Sequence, residues 1–118
     1  MKVNIDQLTE NNKVESVIQF GSSLISKTYR DIDICIFTTK KLLLKEKLRI
    51  MSLFPEIIDV SFYDDLPIHL KKEVLSKGKV LYTKNYLAIL REIPLINDEY
   101  IRYSKFLKSF HKQRMAEI

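Results

Sequence analysis

Two glycines, three prolines and one cysteine are all that this 118-residue chain holds of the residues that punctuate or staple a fold, and tryptophan is absent. So little glycine and proline excludes a loop-rich or low-complexity chain and predicts a compact body with short connections. A lone cysteine excludes an internal disulfide, so a reducing compartment suits the chain. Cys35, inside an apolar run, reads as a small core residue. No stretch of eighteen apolar residues occurs, which excludes a helical membrane span. The opening "MKVNIDQLTENN" lacks the apolar segment of a signal peptide. The expected location is cytoplasmic.

What remains is ordinary for a globular protein: 46% hydrophobic and 30% charged residues. The length fits one domain over residues 1–118, with a core over about 10–85 and a helical tail over 86–118. The net charge of +5 raises the question of nucleic acid. The lysines are scattered, in pairs at 40–41 and 71–72 and along the tail, and so read as solvated surface. An RNA-binding module therefore rests on net charge alone, and nucleic acid is not the expected partner.

Residues 5–12 suggest a short helix. "VESVIQF" at 14–20 alternates, with Val14, Ser16, Ile18 and Phe20 on one side and Glu15, Val17 and Gln19 on the other, as a strand does. Gly21 ends it, and Ser22 and Ser23 suit a helix start. A second strand is expected over 31–37. A helix follows over 38–54, capped by Thr38 or Thr39, with Leu44, Leu48 and Met51 at helical spacing, and stops at Pro55. Further strands are predicted over 56–64 and 79–83. Between them lies a helix capped by Asp65, with Pro67 early, Leu70 and Val74 inward and Gly78 at its end. The tail reads as two helices broken at Pro94, the second carrying Tyr103, Phe106, Leu107 and Phe110 along one side as a core stripe. Strands alternating with helices predict an α/β (α+β) layer fold: a mixed sheet of about four strands flanked by helices.

The second strand opens with two carboxylates, Asp31 and Asp33, in an otherwise apolar run. Strand geometry puts both on one face, about 6–7 Å apart, opposite Ile32, Ile34 and Ile36. An unpaired carboxylate in such a run costs several kcal/mol, roughly, unless something compensates it. A divalent cation with oxygen ligands does so. The third strand repeats the pattern, with Asp59 opposite Ile58 and Val60, so adjacency of the two strands brings three acids to one face. Gly21 permits close backbone approach to a ligand, and the N–H groups at Ser22 and Ser23 suit phosphate. Asp64 and Asp65 read as a turn and a cap. His69 and His111 have no nucleophile or second histidine near them in sequence and read as surface residues.

"GSSLISKTYRDIDI" resembles the GS…DxD signature of the DNA polymerase β-like nucleotidyltransferases. With "IIDVSFYDDLPIHLKKEVLSKGKVLY" it is similar to their minimal nucleotidyltransferase branch, across roughly residues 10–85. The resemblance implies a nucleotidyltransferase that binds two Mg²⁺ ions and a nucleoside triphosphate, ATP above all, and releases pyrophosphate. It implies that Gly21 and Ser22 hold the β/γ-phosphates, and that Asp31, Asp33 and Asp59 are the metal-binding and catalytic residues, Asp59 also helping to activate the acceptor hydroxyl. It further implies a HEPN-type toxin as partner, with AMP attached to a tyrosine of that toxin. The chain has no separate substrate domain, so the acceptor arrives on another chain or a second copy, and a homodimer is one such arrangement. The chain departs from many relatives in lacking an arginine and a glycine soon after the GS: Leu24, Ile25 and Ser26 stand there. Arg30 replaces the serine before the DxD, and Lys27 or Arg30 is left to meet the phosphates. A non-catalytic antitoxin with a vestigial nucleotide site is the alternative that this departure motivates.

Overall fold

The computed structural model describes Leu8 and residues 11–24 and 31–116. Four strands, β1 (Val14–Phe20), β2 (Ile32–Thr38), β3 (Ile58–Phe62) and β4 (Lys79–Thr83), form one sheet in the order β3-β2-β1-β4. β1 pairs antiparallel with both β2 and β4, and β2 pairs parallel with β3, so the sheet is mixed as expected. The parallel pair needs a crossover, and α1 (Leu44–Met51) lies in it. Helix α2 (Ile68–Lys77) precedes β4, and α3 (Tyr86–Ala116) closes the described chain.

Each face of the sheet is covered. Leu8, Leu42 and Ile50 pack on the side chains of Ile32, Ile34, Ile36, Ile58 and Val60. On the other face, Val74 of α2 and Ile89 and Ile96 of α3 cover Ile18, Phe20, Cys35 and Phe37. The predicted clean alternation of β1 fails at one point. A register shift against β2 between Val14 and Ser16 inserts a bulge, so Val14 shares a face with Val17 and not with Ile18 and Phe20. Ser16, fully buried, compensates its hydroxyl by a 2.8 Å hydrogen bond with the Thr83 hydroxyl on β4.

Several helix expectations need correcting. The predicted helix over 5–12 falls mostly outside the described residues. The helix foreseen over 38–54 occupies only Leu44–Met51, because strand pairing continues to Thr38 and the Thr39 N–H still donates to the Lys13 carbonyl at 2.9 Å. Its leucine stripe faces outward: Leu44 and Leu48 are 71% and 56% exposed, and Ile50 is the residue that enters the core. The Lys13 ammonium pairs with Glu46 and ties α1 to the start of β1. The strand predicted over 56–64 ends at Phe62, where a 3-10 turn, Tyr63–Asp65, folds the Tyr63 ring onto Phe37 at 4.2 Å between centroids. Asp65 lies in that turn; Pro67 takes the N-cap of α2. Gly78 caps α2 with φ −67°, not with a left-handed turn. It is needed for space, since a Cβ there would sit 2.4 Å from Ile18 Cγ2 and 2.3 Å from the Val74 carbonyl oxygen.

The break at Pro94 does not occur. α3 is one helix of 31 residues with Pro94 inside it. Proline forfeits the bond to the carbonyl four residues back. That residue is Leu90, which is 42% exposed, so water can serve the carbonyl. The C-terminal half of α3 runs on beyond the sheet, and its aromatic stripe, expected in the core, is open: Phe106 is 64% exposed.

Candidate nucleotide site

The site is built where β1 turns toward β2. Phe20, the last residue of β1, pairs with Asp33. Gly21 follows with φ +82°, a left-handed conformation that glycine alone adopts without strain. A Cβ at Gly21 would lie 2.4 Å from Asp33 Oδ2, so the absent side chain is what lets the turn lie against this carboxylate. Ser22–Leu24 make one 3-10 turn, closed by the Leu24 N–H donating to the Gly21 carbonyl at 3.2 Å. The Gln19 side-chain amide donates to Ser23 Oγ at 2.9 Å and ties the turn to β1. The expected longer helix after the serines falls on residues 25–30, outside the described residues, as do Lys27 and Arg30.

The parallel register of β2 and β3 sets Asp33 directly beside Asp59. Both alternate with core residues, Ile32, Ile34, Ile58 and Val60, and so share the opposite face of the sheet. Asp31 immediately precedes β2 and is exposed, as is Asp59; Asp33 is half-buried. Partial burial holds the Asp33 carboxyl above the usual carboxylate range, and the neighbouring charges of Asp59, Asp31 and Glu73 add to the shift. Glu73 projects its charge from α2 and was not among the residues the sequence singled out. Its signal there is slight: one acid among lysines, next to the inward Val74. Among the described residues no three His, Cys, Asp or Glu side chains are gathered closely enough to hold a metal ion. The structure thus shows a face of carboxylates brought together by strand register, not a closed chelate.

Those residues suit a divalent cation in chemistry and in electrostatics. The donors are hard oxygens, a raised carboxyl marks uncompensated negative charge, and the Gly21 turn leaves Asp33 Oδ2 room that a side chain would fill. His69 lies exposed on α2 and His111 exposed on α3, as expected of surface residues. Asp64 and Asp65 belong to the 3-10 turn after β3, beyond the strand that carries Asp59. No described helix is long and apolar enough to cross a membrane.

Residues 4–87 match the family model described as polymerase beta, nucleotidyltransferase. No curated protein sequence gives a significant match. Among solved structures, the chain is similar to one of the toxin–antitoxin MntA–HpeT in a mutant form. The TM-score is 0.61 at 17% identity, over 99% of this chain and 98% of that one. A toxin–antitoxin structure with AMP-PNP gives 0.57 at 19% identity, over 96% and 94%. A structure of a tri-AMPylated Shewanella oneidensis HEPN toxin in complex with MNT antitoxin gives 0.54 at 17%, over 97% and 94%. At such identities the likeness to these structures is one of fold. The family match spans most of the chain, and its span includes the glycine turn, both β2 aspartates and Asp59: the chain belongs to the polymerase β-type nucleotidyltransferases.

Proposed function

We propose that the chain transfers AMP from ATP to a hydroxyl of a protein acceptor, in a Mg²⁺-dependent reaction, and that it serves as antitoxin to a HEPN-type toxin. The observation that carries the reading is the pairing of Asp33 with Asp59 beside a left-handed glycine whose missing side chain lies against Asp33. The solved relatives with AMP-PNP and with an AMPylated HEPN toxin support the choice of adenine nucleotide and of partner.

In this reading the N–H groups of Gly21, Ser22 and Ser23 hold the β/γ-phosphates, and Asp31, Asp33 and Asp59 hold two Mg²⁺ ions. The ions, when bound, neutralise phosphate charge and lower the pKa of the attacking hydroxyl. The chain's part is positioning and proton transfer. A bond forms between the acceptor oxygen and the α-phosphorus, the bond to the bridging oxygen breaks, and pyrophosphate leaves. Asp59, exposed at the edge strand, takes the hydroxyl proton. Asp33 stays beneath the turn, where its high proton affinity in the free chain makes it the carboxylate most relieved by a cation.

The test is to co-express the chain with a HEPN-type protein of its own genome and weigh that protein by mass spectrometry. An increment of one or more AMP units, lost with Asp33→Asn, is expected. An unmodified partner that is still neutralised, by wild type and by Asp33→Asn alike, selects the non-catalytic antitoxin. The lack of a closed three-carboxylate cluster among the described residues and the missing arginine favour that second reading.

A further inference from the structure

We infer that the projecting half of α3 is a docking arm for an acidic, helical protein partner. The inference rests on the reading above only in that the partner is a protein.

Ile89, Ile96, Tyr103 and Phe110 are spaced seven apart along α3, and Ile93, Tyr100 and Leu107 fall four after each of the first three. That is one continuous heptad seam, the pattern by which a helix receives another helix. Its first half is used within the chain, with Ile89 and Ile96 only 5% and 4% exposed. The second half continues unpartnered, with Tyr103, Leu107 and Phe110 at 41–49% and Phe106 beside them at 64%. Phe106 and Phe110 stack at 6.3 Å, and the Arg114 guanidinium lies 5.2 Å from the Phe110 ring. Apolar surface of this extent on a soluble chain marks an interaction site.

Charge selects the occupant. Residues 100–116 carry Arg102, Lys105, Lys108, Lys112 and Arg114 and no acid. A second copy would bring an arm of the same sign within about one Debye length, which opposes pairing. An acidic partner gains from the same field. Nucleic acid would suit the charge and the three rings, but the heptad spacing that carries Leu107 in one seam with Ile89 and Ile96 fits a groove between helices and not a run of bases. The arm is exposed on nearly every side, so one partner can take the stripe in its groove and the lysines on its rim.

A cleft opens at the base of the arm. Tyr100, at the foot of the exposed stripe, lines a cleft of about 360 Å³ with Lys72, Glu73 and Ser76 of α2. The Lys72 ammonium lies 4.6 Å from the Tyr100 ring and donates to Asn97 Oδ1 at 3.2 Å, fixing α2 to α3 there.

The probes are fluorescein-labelled four-heptad peptides with a leucine seam flanked by glutamate, by glutamine or by lysine, together with a labelled oligouridylate, each titrated with the whole chain by anisotropy. The glutamate peptide is expected to bind at least tenfold tighter than the lysine peptide. The double change Phe106→Ser with Phe110→Ser should weaken it tenfold or more, with helical circular dichroism unchanged. Leu107→Ser, a milder change on the same stripe, should weaken it in the same direction. Mg-ATP binding should survive all three changes, and Asp33→Asn should leave peptide binding intact, which separates failure of the arm from failure of the transferase reading. Equal binding of the acidic and basic peptides would overturn the inference. So would oligouridylate binding that outcompetes them, or a dimer in sedimentation that the phenylalanine changes dissolve.

Discussion

Replacing Gly21 by alanine separates two consequences of one methyl group. The backbone there is left-handed, at φ +82°, which costs a residue with a Cβ about 1–2 kcal/mol. In a domain of this size each kcal/mol lowers Tm by about 3–6 °C, so the loss is about 3–12 °C. The methyl would also stand 2.4 Å from Asp33 Oδ2, a full ångström inside ordinary van der Waals contact, and must drive the carboxylate aside. Backbone strain is thus a stability effect, and the collision is a site effect. Asparagine tells them apart, because it tolerates the left-handed region yet keeps a Cβ. By differential scanning calorimetry, Gly21→Ala should lose the full increment in Tm, and Gly21→Asn only part of it. By isothermal titration, both should weaken Mg-ATP binding at least tenfold. An alanine variant that binds Mg-ATP like the wild type would refute the placement of the turn over Asp33.

Asp33 also sets a pH dependence. Its folded-state pKa is raised, so ionising it destabilises the fold, and the penalty appears as pH rises through the raised value. Asp33→Asn should therefore melt above wild type at pH 7 and level with it below the ordinary carboxylate range, as thermal scans across pH would show. The Tyr63 hydroxyl is buried and closes no hydrogen bond of full geometry among the described residues, although Glu92 is close enough to act on it; burial first, and then Glu92, raise its pKa. Tyr63→Phe should leave stability unchanged or raise it by up to about 1–3 kcal/mol in urea titration, since a stranded hydroxyl costs that much. Leu48 and Ile50 are near neighbours on α1 with opposite fates. Ile50→Ala should cost about 2–5 kcal/mol and Leu48→Ser less than about 0.5, by the same titration.

The strands were legible in the sequence because each is a short apolar run, and glycine or proline bounds three of them: Gly21 after β1, Pro55 before β3 and Gly78 before β4. The pairing of Asp33 with Asp59 was legible once β2 and β3 were taken as neighbours, since a parallel register keeps matching positions on one face. The bulge in β1 was not, because the buried Ser16 beside it finds its hydroxyl partner on a strand 67 residues away. The tail was misread for a related reason. Proline's local penalty, about 3 kcal/mol, is outweighed where packing holds the helix around it, as Ile89 and Ile96 do here, and periodicity marks an apolar stripe without saying which chain will cover it. Leu44, Leu48 and Phe106 all follow helical spacing and all lie open. Glu73 reached the site through the packing of α2 on the sheet, which no local pattern encodes.

The central claim is that Asp33 and Asp59 jointly hold a divalent ion beside the nucleotide. Paramagnetic resonance of Mn²⁺ titrated with a non-hydrolysable ATP analogue reads it directly. The account predicts bound Mn²⁺ with the wild type, and loss of that signal in both Asp33→Asn and Asp59→Asn. Full Mn²⁺ occupancy in either variant would contradict it.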